Sequence, residues 1–393
     1  VPEWTLSARA CPPGPAPARM AVVTTAHAWG DPRVFERELA ACLSWGVEVH
    51  VFVPLPEPPR RSGWSADPRL VVHPLPVPGG RLVRFCQALG VWWPVLRAGR
   101  FALVQFHDPE LVPAMALLAI LRPATYTLYD IHEDLVLQVA SKPYLPAWSR
   151  WPVARMTDWM LHTARGLFSG FAPATEAIGR AWPRAQTRVL HNYPKALFGQ
   201  GGCERPDANR ILYVGGLSRE RGILMVLEAV REARRRLPAL RLELIGWVLD
   251  EGTGRAIQDA VAEGWCAHVP RLGPEALRAR AAGAGVGLVT LLPRPNYLEA
   301  LPTKLFEYMA MGIPVLASDF PLWRGLVEAA GAGCLVAPIP ASVAAALVAM
   351  CSDPGRLHSY GRAGRTAYQT RYRWEQEARQ LRWHLRQAGL LPP

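Results

Sequence analysis

From Met20 onward short apolar runs alternate with longer amphipathic stretches. "MAVVTT" reads as a buried strand. Asp31 and Pro32 after it suit the N-cap and first turn of a helix, on which Phe35, Leu39, Cys42 and Leu43 share one face. Gly46 ends that helix, and "VEVHVFV", "LVVHP", "ALVQF" and "TYTLYD" are the next strands. Strand and helix in alternation predict a parallel sheet covered on both sides. Around residues 189–210 the texture turns to Gly, Pro and polar residues, as in a linker. A second series follows: "RILYVGG", a helix from Gly222 to Arg236, "RLELIG", helices from Gly254 to Glu263 and from Pro274 to Ala282, then "VGLVT". A helix from Thr303 to Met311, ended by Gly312, and the strand "IPVLAS" continue it. Near the end, Trp374, Ala378, Leu381 and Leu385 fall at helical spacing. The expected division is a disordered leader at 1–19, one doubly wound α/β domain at 20–192, a second at 193–372, and a helix at 373–393 that crosses back to the first. Ligands of such sheets bind beyond the carboxyl ends of the strands, so a cleft between facing domains is the expected place.

Charge and cysteine usage narrow the partners. The chain of 393 residues carries a net charge of +12. That excess is shared evenly by the halves on either side of Lys195, without the basic block of a nucleic-acid arm, so anionic small molecules or an anionic membrane fit better than nucleic acid. Seven cysteines, scattered and never in a C-x-x-C pair, point to reduced thiols and a cytoplasmic setting. Residues 329–352 are uncharged, but Gly331, Gly333, Pro338 and Pro340 interrupt them, which predicts strand, turn and helix rather than a membrane span.

The densest chemistry lies in "NYLEALPTKLFEYMAMGIPVLASD", residues 296–319. Glu299 sits in a loop, Pro302 at the start of a helix, Lys304 in its first turn and Glu307 one turn further. An ionised carboxylate only accepts hydrogen bonds and can take both hydroxyls of a vicinal diol, while a helix amino end favours an anion. This pattern is a cup for a ligand that is both anionic and rich in hydroxyls. The stretch resembles the Glu-x7-Glu signature of the retaining glycosyltransferases of family 4, whose GT-B fold pairs two Rossmann-like domains. "YVGGLSRERGILMVLEAV", "HAWGDPRVFERELAACLSWGVEV", "FHDPEL", "YDIHED" and "RWEQEARQL" resemble further segments of the same family.

The resemblance implies that Glu307 binds the ribose diol of a UDP- or GDP-linked sugar and Glu299 the hydroxyls of the donated sugar. It implies that the stretch Ala300, Leu301, Pro302, Thr303 and Lys304, through the backbone N–H groups of all but the proline, approaches the diphosphate, together with Gly30, Gly215, Gly216, Arg219 and Arg221. Gly216 stands where many members have an arginine, a departure for which Arg219 could compensate. His107 is expected near the anomeric centre of the transferred sugar, and Asp31, Arg33, Asp108, His132 and Glu133 on the acceptor side. No Asp-x-Asp occurs in the chain, so neither an obligatory metal nor any cofactor besides the nucleotide sugar is expected. Glu299, His107, Arg221 and Lys304 are the expected catalytic groups of a retaining hexosyltransferase that acts on a glycan or lipid-linked acceptor in surface polysaccharide or glycolipid assembly. The rivals are an epimerase or inverting transferase of the same fold, and a non-catalytic polyanion binder, which has no use for paired carboxylates beside its phosphate site.

Two stretches rich in arginine and tryptophan, residues 80–100 and 146–165, predict contact with the inner face of a membrane. The stripe Leu82, Phe85, Cys86 and Leu89 within the first would equally serve as an ordinary core face.

Overall fold

The apolar runs assemble into two six-stranded sheets. The computed structural model describes residues 19–57, 59, 63–133, 135–136, 147–196 and 206–392. The expected leader lies outside these up to residue 18, as does part of the expected linker.

The first sheet comprises β1 (Arg19–Val23), β2 (Glu48–Pro54), β3 (Leu70–Leu75), β4 (Leu103–Phe106), β5 (Tyr126–Ile131) and β6 (Gly170–Pro173), in the order β3-β2-β1-β4-β5-β6. The second comprises β7 (Asp207–Val214), β8 (Arg241–Ile245), β9 (Cys266–Val269), β10 (Ala284–Val289), β11 (Val315–Ser318) and β12 (Gly333–Val336), in the order β12-β11-β10-β7-β8-β9. Neighbours run parallel, from Arg19 beside Glu48 in one sheet to Leu212 beside Gly287 in the other. The runs read as continuous apolar segments because both faces are covered: Ile211 and Tyr213 of β7 join one core, Leu212 and Val214 the other.

Each sheet reverses its winding at its middle. β1 lies between β2 and β4, and β7 lies between β8 and β10, so a crevice opens at the carboxyl ends of both pairs. The loops at those ends are Thr24–Asp31 and His107–Asp108 in the first sheet, and Gly215–Gly222 and Thr290–Pro302 in the second.

By its contacts the chain divides into two units. One takes in the described residues up to Ile131 with Leu161–Ala172 and Leu381 onward, the other His132–Met160 and Pro173–Gln380. Within the second unit the residues before the linker are tied down by the late helices: Tyr368 donates its hydroxyl to the Lys195 carbonyl at 2.7 Å, and the His191 N–H reaches Glu377 at 2.9 Å.

Helix boundaries moved where caps outweigh periodicity. The helix expected from Gly254 starts at Glu251, because the Asp250 carboxylate accepts the Thr253 N–H and sets the first turn there. The helix after Asp31 is wider than an α-helix over Pro32–Leu39: the Asp31 carbonyl accepts from Glu36, five residues on, as well as from Phe35. The uncharged segment after residue 329 folds as expected into β12 and the helix Pro340–Cys351. No helix of the described residues is long and apolar enough to cross a membrane.

Of the two readings of residues 80–100, the ordinary core face is the one the structure excludes. Among the described side chains of the helix Arg81–Gly90 only Ala88 is buried, and the stripe Leu82, Phe85, Cys86 and Leu89 faces solvent rather than a core.

Candidate active site

In the second unit the helix Thr303–Met311 forms where the sequence places it, with Gly312 in the left-handed conformation at its end. Pro302 is the N-cap and offers no side-chain acceptor. The first-turn N–H groups of Thr303 and Lys304 have no intrahelical partner, and among the described residues no side chain caps them, so the positive end of the helix is open. Glu307 follows one turn in, 5% exposed, and accepts a hydrogen bond from Lys304 Nζ at 2.7 Å. Glu299 caps the short helix Pro295–Leu298 and is exposed. Between them the Ala300 carbonyl is pinned by the indole N–H of the fully buried Trp323 at 2.8 Å.

The helix is seated by the residue after Glu307. The buried Tyr308 hydroxyl accepts the Val214 N–H at 3.1 Å, and its ring lies flat on Gly287 of β10. A Cβ at 287 would come within 2.6 Å of that ring. Glycine in β10 thus decides how close the Glu307 helix can approach the sheet.

At the end of β7 the chain turns through Gly215 (φ 144°) and Gly216, and a Ser218 hydroxyl accepts the Arg221 N–H at 3.2 Å. Gly222, at φ 81°, starts the helix Ile223–Arg234. The Arg221 guanidinium lies above the two glycines: a Cβ at 216 would meet its Nε at 3.6 Å and Leu249 Cδ1 at 3.0 Å. It also bonds the Tyr213 hydroxyl, whose pKa burial pushes up to about 12 despite that cation. Arg221, rather than the expected Arg219, fills the space of the missing side chain at 216. The Arg219 N–H binds Asp250 at 3.1 Å, and its guanidinium lies toward Gly252.

In the first unit a charged network sits under the ends of β1, β4 and β5. Asp130 accepts both from the Arg33 guanidinium and from His107 Nδ1 at 2.9 Å. An ionised carboxylate cannot donate, so His107 carries its proton on Nδ1. Arg33 Nε also lies 3.0 Å from Glu38 Oε1. Burial, then the neighbouring Asp130 charge, pushes the Glu38 carboxyl well above its usual range, with Arg33 offsetting only part. Asp108 holds the loop after β1 through Thr24 Oγ1 at 2.7 Å and the Thr25 and Ala26 N–H groups.

Three of the expected site residues are enclosed. Arg33 (4% exposed), His107 (3%) and Asp108 (3%) are buried and engage partners within the first unit. Asp31 is the N-cap, accepting from the Arg33 and Val34 N–H groups. Gly30 before it has φ 82°, a turn that favours glycine. His132 is half-buried and Glu133 exposed just after β5.

Sequence matching now assigns the chain. Residues 30–193 match the glycosyl transferase 4-like domain, and residues 208–353 match glycosyl transferases group 1. The chain belongs to the glycosyltransferases. No curated protein matches it by sequence. Among solved structures, a sucrose-phosphate synthase from Thermosynechococcus elongatus superposes with a TM-score of 0.72 at 20% identity, covering 94% of this chain and 98% of that one. The HepE protein of Anabaena in complex with UDP and glucose gives 0.68 at 14% identity, covering 94% and 100%. A trehalose-6-phosphate protein from E. coli bound with UDP-2-fluoro glucose gives 0.68 at 13%, covering 96% and 100%. At these identities the likeness establishes the fold, two-domain GT-B.

Sequence reading missed several residues of this glycosyltransferase. His27 lies 3.3 Å from Asp31 and 3.6 Å from Asp108. Burial opposes its charge, but the hydrogen bond to Asp31 and the nearby carboxylates outweigh that, and its pKa is raised. Asp31 in turn is held well below the usual carboxylate range, burial notwithstanding, by His27 and the two N–H groups. The i,i+4 spacing of His27 and Asp31 was the available signal. Gly246 was also missed: at φ 154°, a Cβ there would overlap the Gly215 carbonyl. Nothing in "LIGWV" alone reveals that approach.

Proposed function

We propose that this glycosyltransferase transfers a sugar, with retention, from a UDP- or GDP-linked donor to a glycan or lipid-linked acceptor in cell-surface polysaccharide or glycolipid assembly, on the cytoplasmic side. The observation that carries the donor reading is Glu307, a nearly buried carboxylate one turn inside a helix whose amino end is bare. That combination suits a ribose diol joined to a diphosphate. HepE and the E. coli protein, bound with UDP and with a UDP sugar, make UDP the first base to try.

In the proposed reaction the ribose diol takes the Glu307 carboxylate, and Lys304 turns from it to the diphosphate. Glu299 holds hydroxyls of the donated sugar. The acceptor hydroxyl attacks from the face the diphosphate leaves, through an oxocarbenium-like transition state, and a diphosphate oxygen accepts its proton. Negative charge grows on the leaving group, and Arg221, Lys304 and the helix end are preorganised to meet it. Those cations do what a metal does elsewhere, so no obligatory metal is proposed. In this reading His107, oriented by Asp130, serves the anomeric centre of the donated sugar, and Asp31, His132 and Glu133 serve the acceptor.

The test is titration with UDP and GDP followed by product analysis over a panel of nucleotide sugars with a membrane lipid extract. Micromolar nucleotide binding that Glu307→Ala abolishes, turnover undiminished by EDTA, and a product with the donor's anomeric configuration are expected. Sugar turnover without acceptor would point to an epimerase, and salt-sensitive polyanion binding with no nucleotide response would replace the enzyme reading.

A further inference from the structure

We propose that one helical face of the first unit is a docking surface for an anionic lipid bilayer. Three mutually packed helices build it: Arg81–Gly90, Trp92–Arg97 and Val112–Leu121. The first turns Leu82 (84% exposed), Phe85, Cys86 and Leu89 outward at helical spacing. Trp93 is half exposed on the second. The third, "VPAMALLAIL", has no polar side chain at all, a composition expected of a helix enclosed by protein or lipid. Met115 and Leu118 are enclosed by protein, but Leu117, Ile120 and Leu121 are not. Isolated exposed apolar residues need no explanation; an apolar face contributed by three adjacent helices does.

The charge around this face selects the occupant. Between Asp67 and Asp108 the chain has no acidic residue; of the arginines in that interval Arg69 is paired with Asp67 and Arg84 with Glu110, each at 2.7 Å, while Arg97 and Arg100 flank the second helix. The Arg97 guanidinium lies over the Trp93 ring, 5.6 Å from its centre. Tryptophan paired with arginine is suited to the headgroup layer, where the ring meets acyl chains and the cation meets phosphate. A second copy of the chain fits poorly, because a twofold contact sets the patch against itself and brings arginines to arginines. The helix Ala147–Ala164 repeats the pattern independently, with Trp148, Trp151 and Trp159 exposed and Arg155 over the Trp151 ring.

Cys86 provides the probe, since it is exposed within the stripe. In the full chain with Cys11, Cys203 and Cys334 changed to Ser, an environment-sensitive dye on Cys86 is titrated with vesicles of phosphatidylcholine, with and without phosphatidylglycerol, in the absence of nucleotide. A blue-shifted emission and co-sedimentation with the anionic vesicles only are expected, falling about tenfold in Leu82→Ser/Phe85→Ser. The same variant should keep its UDP affinity, which separates this outcome from failure of the transferase reading or of folding. Absence of binding to anionic vesicles overturns the proposal. So does a dimer in sedimentation equilibrium that the double variant dissolves, which would make the face a contact between copies.

Discussion

Asp130 and Glu38 share one buried arginine, and their roles differ because only one charge can be compensated there. Asp130 takes the Arg33 guanidinium through both oxygens and orients His107. Glu38, enclosed beside that carboxylate, keeps its proton more readily than a free glutamate. Replacing Asp130 by Asn removes the main partner of Arg33 together with the charge that keeps Glu38 protonated, so Glu38, 3.0 Å from Arg33, should ionise in its place and hold the cost to about 1–3 kcal/mol, whereas Glu38→Gln, nearly isosteric with the protonated acid, should cost about 1 kcal/mol or less. The sign of the pH effect follows. A folded pKa above the ordinary 4.5 gives stability that is complete below that pH and is lost as pH rises through the folded value. Glu38→Gln cannot lose the proton, so its stability relative to the native chain should grow as pH is raised above the ordinary 4.5 in urea titrations. A constant difference would show that Glu38 is ionised throughout. None of this was legible beforehand: Glu38 reads as a solvated helix position until the strands carrying Gln105 and Asp130 are laid beneath it.

Among single elements, the helix Thr303–Met311 was the most legible and its seat the least. Pro302, Lys304, Glu307 and Gly312 mark the helix within one line of sequence. What it rests on is Gly287, in a strand whose other residues read only as apolar filler. Gly287→Ala should press on the Tyr308 ring, cost about 1–3 kcal/mol and tilt the helix, so that UDP affinity falls at least about tenfold while Glu307 and Lys304 remain intact. The control is Gly325→Ala. Gly325 lies inside the helix Pro321–Ala330 with open space where the Cβ would go, so it should gain about 0.5–1 kcal/mol and leave nucleotide affinity unchanged. Calorimetric titration with UDP and thermal melts on both variants decide the matter. Equal affinity in the two would mean that the helix does not depend on its glycine seat.

For the molecule as a whole, the alternation of strand and helix was legible because parallel strands are buried on both faces and so read as apolar runs, as Ala284 to Val289 does. The exposed stripes were not, since a period of 3.6 says that residues share a face but not what covers it. Electrostatics adds a property that belongs to no single element. The chain carries +12, and several of its ion pairs, such as Arg231–Glu263, Arg255–Glu251 and Arg241–Asp207, are exposed. Exposed pairs contribute about 0–1 kcal/mol each, while an excess of one sign repels itself over the whole surface. Salt weakens both, but the repulsion acts at longer range and is screened first, as the Debye length falls below about 10 Å. The melting temperature should therefore rise by a few degrees as sodium chloride is raised from about 0.02 M to about 0.3 M. Chloride suits the test better than phosphate or sulfate, which could occupy the bare helix end and stabilise by binding. A melting temperature that falls with added chloride would mean that the surface pairs outweigh the excess charge.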